Sequence, residues 1–257
     1  MKKILLPLVT SMVVTVTLSA YADGSTGSMS YKGTTTKEKV NSSIGTLSGT
    51  FDITSNYMFR GISNSNNVPA FQGGLTYQFT KTGIYFNIWG SNVNFSDPLG
   101  NTATVEIDTI AGIRNSIGDN FTYDINVDRY NYPKARAADY DEIIANATFY
   151  FLTAQIAYSS NVYGFHDNGT YVNIGFNYPV PPHFIFGQEN VVVSGGIGHY
   201  SLNPTPTLQS YNDYNIQIAK TIGSYTLAVQ WTDTNGRSVD PVYLRDSHII
   251  GTVTANF

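Results

Sequence analysis

Cysteine is absent from the 257-residue chain, which excludes a disulfide scaffold and thiolate metal sites. Charge is scarce as well: Asp, Glu, Lys and Arg together make up 12% of the residues, about half the roughly 25% of an ordinary soluble domain. Positive charge is the scarcer sign, with 14 Lys and Arg against 18 Asp and Glu and a formal net charge of -4. Without a basic cluster there is no electrostatic footprint for phosphates, and nucleic-acid binding is excluded. No apolar run of about 18 or more residues follows the N-terminal segment, so no later stretch suits a membrane-crossing helix. What fills the space is aromatic and small: 19 Tyr, 14 Phe and 23 Gly, with many Asn, Ser and Thr. Disordered chains lack aromatics and are rich in charge, so this composition belongs to a folded chain.

The N-terminal segment reads as an address. Lys2 and Lys3 form a positive start, residues 4–18 are mostly apolar, and Ala20-Tyr21-Ala22 fits a small-x-small cleavage pattern. Residues 1–22 are therefore expected to be a cleaved signal peptide for export, with the mature chain starting at Asp23. Residues 23–44 are Gly, Ser, Thr and Lys with few apolar positions and read as a flexible lead-in.

Residues 45–257 change character. Segments roughly ten residues long alternate apolar and polar, separated by Gly, Asn, Asp, Pro and Ser clusters, which is the period of β-strands. Twelve are counted, at 46–60, 70–80, 84–94, 103–114, 121–131, 141–150, 152–160, 170–178, 190–200, 211–221, 224–233 and 246–257. Connections after even-numbered segments are short, with 179–189 the exception, and those after odd-numbered segments are longer. Short turns at one end and longer loops at the other are the pattern of a transmembrane antiparallel β-barrel in the outer membrane, with both termini in the periplasm.

A soluble lipocalin-like barrel also alternates, with its apolar face inward. Three features favour the membrane. One face of nearly every segment is continuously apolar while the other carries acids and amides, as where Phe121, Tyr123, Ile125 and Val127 oppose Thr122, Asp124, Asn126 and Asp128. Aromatics on the apolar face sit near segment ends, where a membrane interface favours them. Tyr57, Phe59, Phe71, Tyr158 and Trp231 are expected at the outer end, and Phe79, Phe121, Phe149, Tyr178 and Tyr225 at the periplasmic end. The last segment, finally, sets Ile249, Gly251, Val253, Ala255 and Phe257 on one face, which looks like the C-terminal signature by which the barrel assembly machinery engages outer-membrane proteins.

The run Ser55-Asn56-Tyr57-Met58-Phe59-Arg60-Gly61-Ile62-Ser63, followed by Ser65-Asn66-Asn67, Pro69-Ala70, Gln72-Gly73-Gly74 and Trp89-Gly90-Ser91-Asn92-Val93, resembles the TorF porin family, also catalogued as an uncharacterised proteobacterial outer-membrane group. Weaker echoes are Ala103-Thr104-Val105-Glu106-Ile107-Asp108, Asp139-Tyr140-Asp141-Glu142 and Trp231-Thr232-Asp233-Thr234. The resemblance covers residues 45–257 and implies a porin fold without naming a solute.

If the polar face lines the lumen, the chemistry-bearing feature is an acidic wall: Asp52, Glu106, Asp108, Asp124, Asp128 and Glu142, with Arg60 as a counter-charge at the mouth. A wall of one sign selects ions by charge, so the expected function is passive diffusion of small polar or cationic solutes. The competing reading has these acids pairing with Arg60, Arg114 or tyrosines and holding a plugged barrel together, with a structural or surface-receptor role. Catalysis is not expected, because Ser247 and His248 are adjacent and neighbours on a strand point to opposite faces. No metal or cofactor is expected, and the anticipated partners are outer-membrane lipids and small solutes or ions.

Overall fold

The computed structural model describes residues 40–41, 44–203, 209–235 and 247–257. The expected signal peptide, nearly all of the lead-in and most of the loop between the last two strands lie outside these residues. Twelve long strands form the barrel: β1 (Gly45–Thr54), β2 (Ala70–Phe79), β3 (Ile84–Ser96), β4 (Thr102–Ile117), β5 (Phe121–Asn131), β6 (Tyr140–Phe149), β7 (Leu152–Ser159), β8 (Gly169–Pro179), β9 (Val191–Leu202), β10 (Tyr211–Ile222), β11 (Tyr225–Thr234) and β12 (His248–Asn256). Each pairs antiparallel with its neighbour in sequence. β12 returns to β1, with Thr252 opposite Thr54 and Asn256 opposite Thr50, so no edge is left open. Closure matters because hydrocarbon offers no partner for an unpaired N–H or C=O.

The side-chain period of two decides which face meets lipid. In β5, Ile125 and Val127 point out while Asp124, Asn126 and Asp128 are buried inside. In β8, Val172, Ile174 and Tyr178 point out and Tyr171 and Asn173 point in. β11 exposes Tyr225, Leu227, Val229 and Trp231, and β12 exposes Ile249 and Val253. An apolar outer belt on a closed barrel is the signature of a membrane-spanning one, the reverse of a soluble ligand-binding barrel. The aromatics follow the expected ends at Phe71, Tyr158 and Trp231 on the loop side and Phe149, Tyr178 and Tyr225 on the turn side, all exposed. β4 runs for 16 residues, beyond the roughly 9–11 needed to cross the bilayer, and β3 beside it carries a bulge between Asn92 and Phe95. The pair rises above the rim on the loop side.

Here the expected first segment is wrong in one respect. Pairing of β1 ends at Thr54 instead of continuing to residue 60. The chain then leaves the wall and turns into the barrel, forming a miniature hairpin in which Met58–Phe59 pairs with Ile62–Ser63. Its two-residue turn is Arg60 and Gly61, both left-handed, with φ of 49 and 79°. Positive φ at both central residues makes the tight turn whose twist suits a hairpin. Tyr57 and Phe59 are accordingly not interface aromatics: each is 1% exposed, inside the lumen. Their alternation with polar neighbours mimics a strand end, because a two-stranded hairpin has the same period as the wall.

Candidate functional site

The site is built where the inward hairpin meets the wall. Asn56 anchors its base, with its side-chain carbonyl accepting from Ser63 Oγ at 2.6 Å and Ser65 Oγ at 3.0 Å, while Ser65 Oγ also takes the Tyr57 N–H at 2.9 Å. This explains the Ser-Asn run at 63–67: a segment without strand neighbours must satisfy its backbone from its own side chains. From that base the hairpin spans the lumen. Tyr57 packs edge-on against Trp89 of β3 and donates to Glu106 Oε1 of β4 at 3.4 Å. Phe59 meets Tyr130 of β5 edge-to-face. At the tip, a Cβ on Gly61 would come within 2.8 Å of Asp213 Cβ on β10, so the close approach to that strand requires glycine there.

Arg60 carries the hairpin's charge. Its two terminal nitrogens donate to Glu142 Oε1 and Oε2 of β6 at 2.8 and 2.7 Å, the parallel two-bond geometry that makes an Arg–carboxylate pair strong. The guanidinium lies 4.8, 4.4 and 4.7 Å from the ring centroids of Phe59, Tyr171 and Tyr200, within the range of cation–π attraction. Arg60 and Glu142 are each 1% exposed. Arg60 was expected at the mouth as a counter-charge; it is instead sealed inside the barrel, because the turn at Arg60-Gly61 aims it there.

All of the predicted acids face the interior. Glu106 accepts from Tyr57 and, at 3.2 Å, from Tyr132. Glu142 accepts from Arg60 and, at 3.3 Å, from Tyr130. Asp128 stands directly opposite Glu142 in the β5–β6 register, and Asp108 opposite Tyr130. These share the hairpin's level. Asp124 lies further toward the turns, where it accepts from Arg114 Nε at 2.7 Å, Tyr85 Oη at 2.9 Å and Asn126 at 3.0 Å. Asp52 accepts from Thr254 across the β1–β12 seam. The wall is therefore gathered into two clusters and a seam contact, not a continuous lining.

Asp213 was missed by the sequence reading. It lies inward on β10, buried, and accepts from Tyr171 Oη at 3.2 Å. Tyrosines were expected as partners of the acids only in general, without positions: Tyr130 stacks on Tyr140 with centroids 4.3 Å apart, and Tyr200 packs against Tyr171 and Tyr211. The signal was available, since Tyr130, Tyr171 and Tyr211 share strand parity with Asp128, Asn173 and Asp213. The loops complete the seal. A Cβ on Gly164 would fall 1.5 Å from the Ala137 carbonyl, so the loop after β7 is pressed onto the one after β5, and Tyr163 reaches Phe59 and Tyr140.

Around this level the inward side chains, from Thr54 and Ala70 through Tyr130, Tyr140, Tyr171, Tyr200 and Tyr211 to Thr232 and Ile250, are buried. Toward the turns the lining becomes Thr50, Thr76, Gln78, Asn146, Gln155, Gln217, Thr226 and Gln230, all partly exposed. The lumen is thus packed and rich in acids and tyrosines on the loop side, and toward the turns mostly polar and partly exposed, apart from the buried cluster of Arg114, Asp124, Tyr85 and Asn126.

A sequence profile of Gcw_chp, described as a bacterial protein family of unknown function, matches residues 38–257. No curated protein matches the chain. Among solved structures the chain is similar to the KdgM porin, with a TM-score of 0.50 and 8% identity over 82% of this chain and 99% of that one. It is also similar to the NanC porin, with a TM-score of 0.52 and 11% identity over 80% and 98%. At such identities the likeness is one of fold.

Proposed function

The chain belongs to the Gcw_chp family of bacterial proteins of unknown function, and because membership brings no activity with it, we propose from the barrel itself that it is an outer-membrane channel for passive diffusion of small polar or cationic solutes. The observation that carries this reading is the sign of the interior: Asp52, Glu106, Asp108, Asp124, Asp128, Glu142 and Asp213 face inward against Arg60 and Arg114. An interior of one excess sign admits counter-ions and repels anions. The apolar belt supports residence among outer-membrane lipids, and the porin fold of the structural neighbours and the TorF-like run at residues 55–63 point the same way. No step of this function calls for catalysis or a cofactor. The barrel assembly machinery would engage β12, whose outward face carries Ile249 and Val253.

A second reading is favoured by the packed loop side: a closed barrel, held together by the same acids, that serves a structural or surface-receptor role. Planar-bilayer recording under a salt gradient separates the two. The channel reading expects small, cation-preferring unit currents, and reduced preference in the Glu106→Gln, Asp108→Asn double variant. Anion preference would sink the charge argument, and silence both in the intact chain and after removal of the hairpin would leave the closed barrel.

A further inference from the structure

Arg60 is surrounded as a bound ligand is, not as a cation that merely braces a fold. One carboxylate grips it with two parallel bonds of 2.8 and 2.7 Å. The rings of Phe59, Tyr171 and Tyr200 lie 4.4–4.8 Å from its guanidinium carbon, the aromatic enclosure by which organic cations are recognised. Apart from Phe59, this enclosure belongs to the wall: Glu142 stands on β6, Tyr171 on β8, Tyr200 on β9, and Tyr130, which also donates to Glu142, on β5. These four side chains are therefore carried by the wall independently of the hairpin. Negative charge here exceeds what one guanidinium neutralises, since Asp128 stands opposite Glu142 and Asp213 lies at the hairpin tip. The hairpin also presents Arg60 at a cost. A left-handed φ of 49° is unusual for a long side chain, where such turns ordinarily take Asn or Gly, and strain of this kind persists where surrounding contacts over-determine it.

We infer that the cage of Glu142, Tyr130, Tyr171 and Tyr200 is a binding site for solutes bearing a guanidinium group, and that Arg60 occupies it as an internal stand-in. The inference rests on the preference for cationic solutes proposed above, but equilibrium binding tests it whether or not the barrel conducts. The full chain, refolded in detergent, is titrated calorimetrically with methylguanidinium chloride, with sodium chloride and urea as controls for ionic strength and for a neutral isostere. The Arg60→Ala variant is expected to bind methylguanidinium saturably and the intact protein at least about tenfold more weakly, because a charged pair with two hydrogen bonds already fills the site. Adding Glu142→Gln to Arg60→Ala is expected to weaken binding by roughly tenfold or more, as loss of a charged acceptor does. Absence of saturable binding to a folded Arg60→Ala barrel overturns the inference, and so does binding indifferent to Glu142→Gln. If Arg60→Ala refolds poorly, its refolding yield is read instead: the inference expects methylguanidinium, and not urea or sodium, to restore it, and failure to do so counts equally against the site.

Discussion

The two halves of the lumen are made by the same strands and obey the same alternation, yet they differ as a protein core differs from a wet cleft. On the loop side, acids, tyrosines and one arginine are packed without access to water. On the turn side, Thr50, Gln78 and Gln217 line the same strands a few residues away and stay partly exposed. The backbone pairing of the wall continues through both, while its inward side chains change from acids and tyrosines to Thr, Gln and Asn. Added to that is a segment of 15 residues, 55–69, between β1 and β2, which brings the hairpin and its charge into one half only. Each half holds an arginine, and the two report the contrast. Arg60 is enclosed on all sides, whereas the Arg114 side chain is 11% exposed and lies over Tyr85 while bonding Asp124. A barrel interior is thus not uniform in its screening of charge, and an acid's field depends on which half holds it.

The sharpest way to break this comparison is to remove that segment. Replacing residues 56–67 with a short Gly-Ser linker is expected to raise single-channel conductance several-fold while the barrel still folds, as read by its heat-modifiable gel mobility. Unchanged conductance would place the narrowest point on the turn side. Next come the two arginines. Glu142→Gln takes from the buried Arg60 the carboxylate that grips it with two bonds and is expected to cost about 3–5 kcal/mol in unfolding by urea. Arg114→Gln leaves Asp124 with Tyr85 and Asn126 as donors and is expected to cost only about 1–2 kcal/mol; equal losses would mean the halves are equally dry. The smallest effect is expected from Gln78→Ala on the wet side, within about 0.5 kcal/mol of the parent, and a larger loss would show that half to be packed as well.

The wall was legible in the sequence because a strand between lipid and lumen must alternate, and lipid leaves little freedom in the outward residue. That is why the β5 and β8 patterns could be assigned to faces directly. The inward position of the acids followed from the same rule. The hairpin was not legible, because Tyr57 and Phe59 continue the alternation of β1 and read as an interface pair. Only Gly61 and the polar run after it mark the turns, and nothing in a period of two says whether a strand goes on upward or folds inside. Asp213 and the positions of the luminal tyrosines were passed over for a related reason. Tyrosine suits both a membrane interface and a polar interior, so its parity, not its type, carries the information.

The hairpin's contacts also bear on how the protein reaches this state. Tyr57 meets Glu106 49 residues away, and Arg60 meets Glu142 82 residues away. Its tip rests on Asp213, later still. The hairpin's partners are thus spread over the wall from β3 to β10, and its full set of contacts requires all of these strands. Such long sequence separations slow folding, since loop closure is paid before the contact repays it. The closing of the interior is thereby tied to most of the circumference: an arginine early in the chain depends on a carboxylate and two tyrosines far later in it.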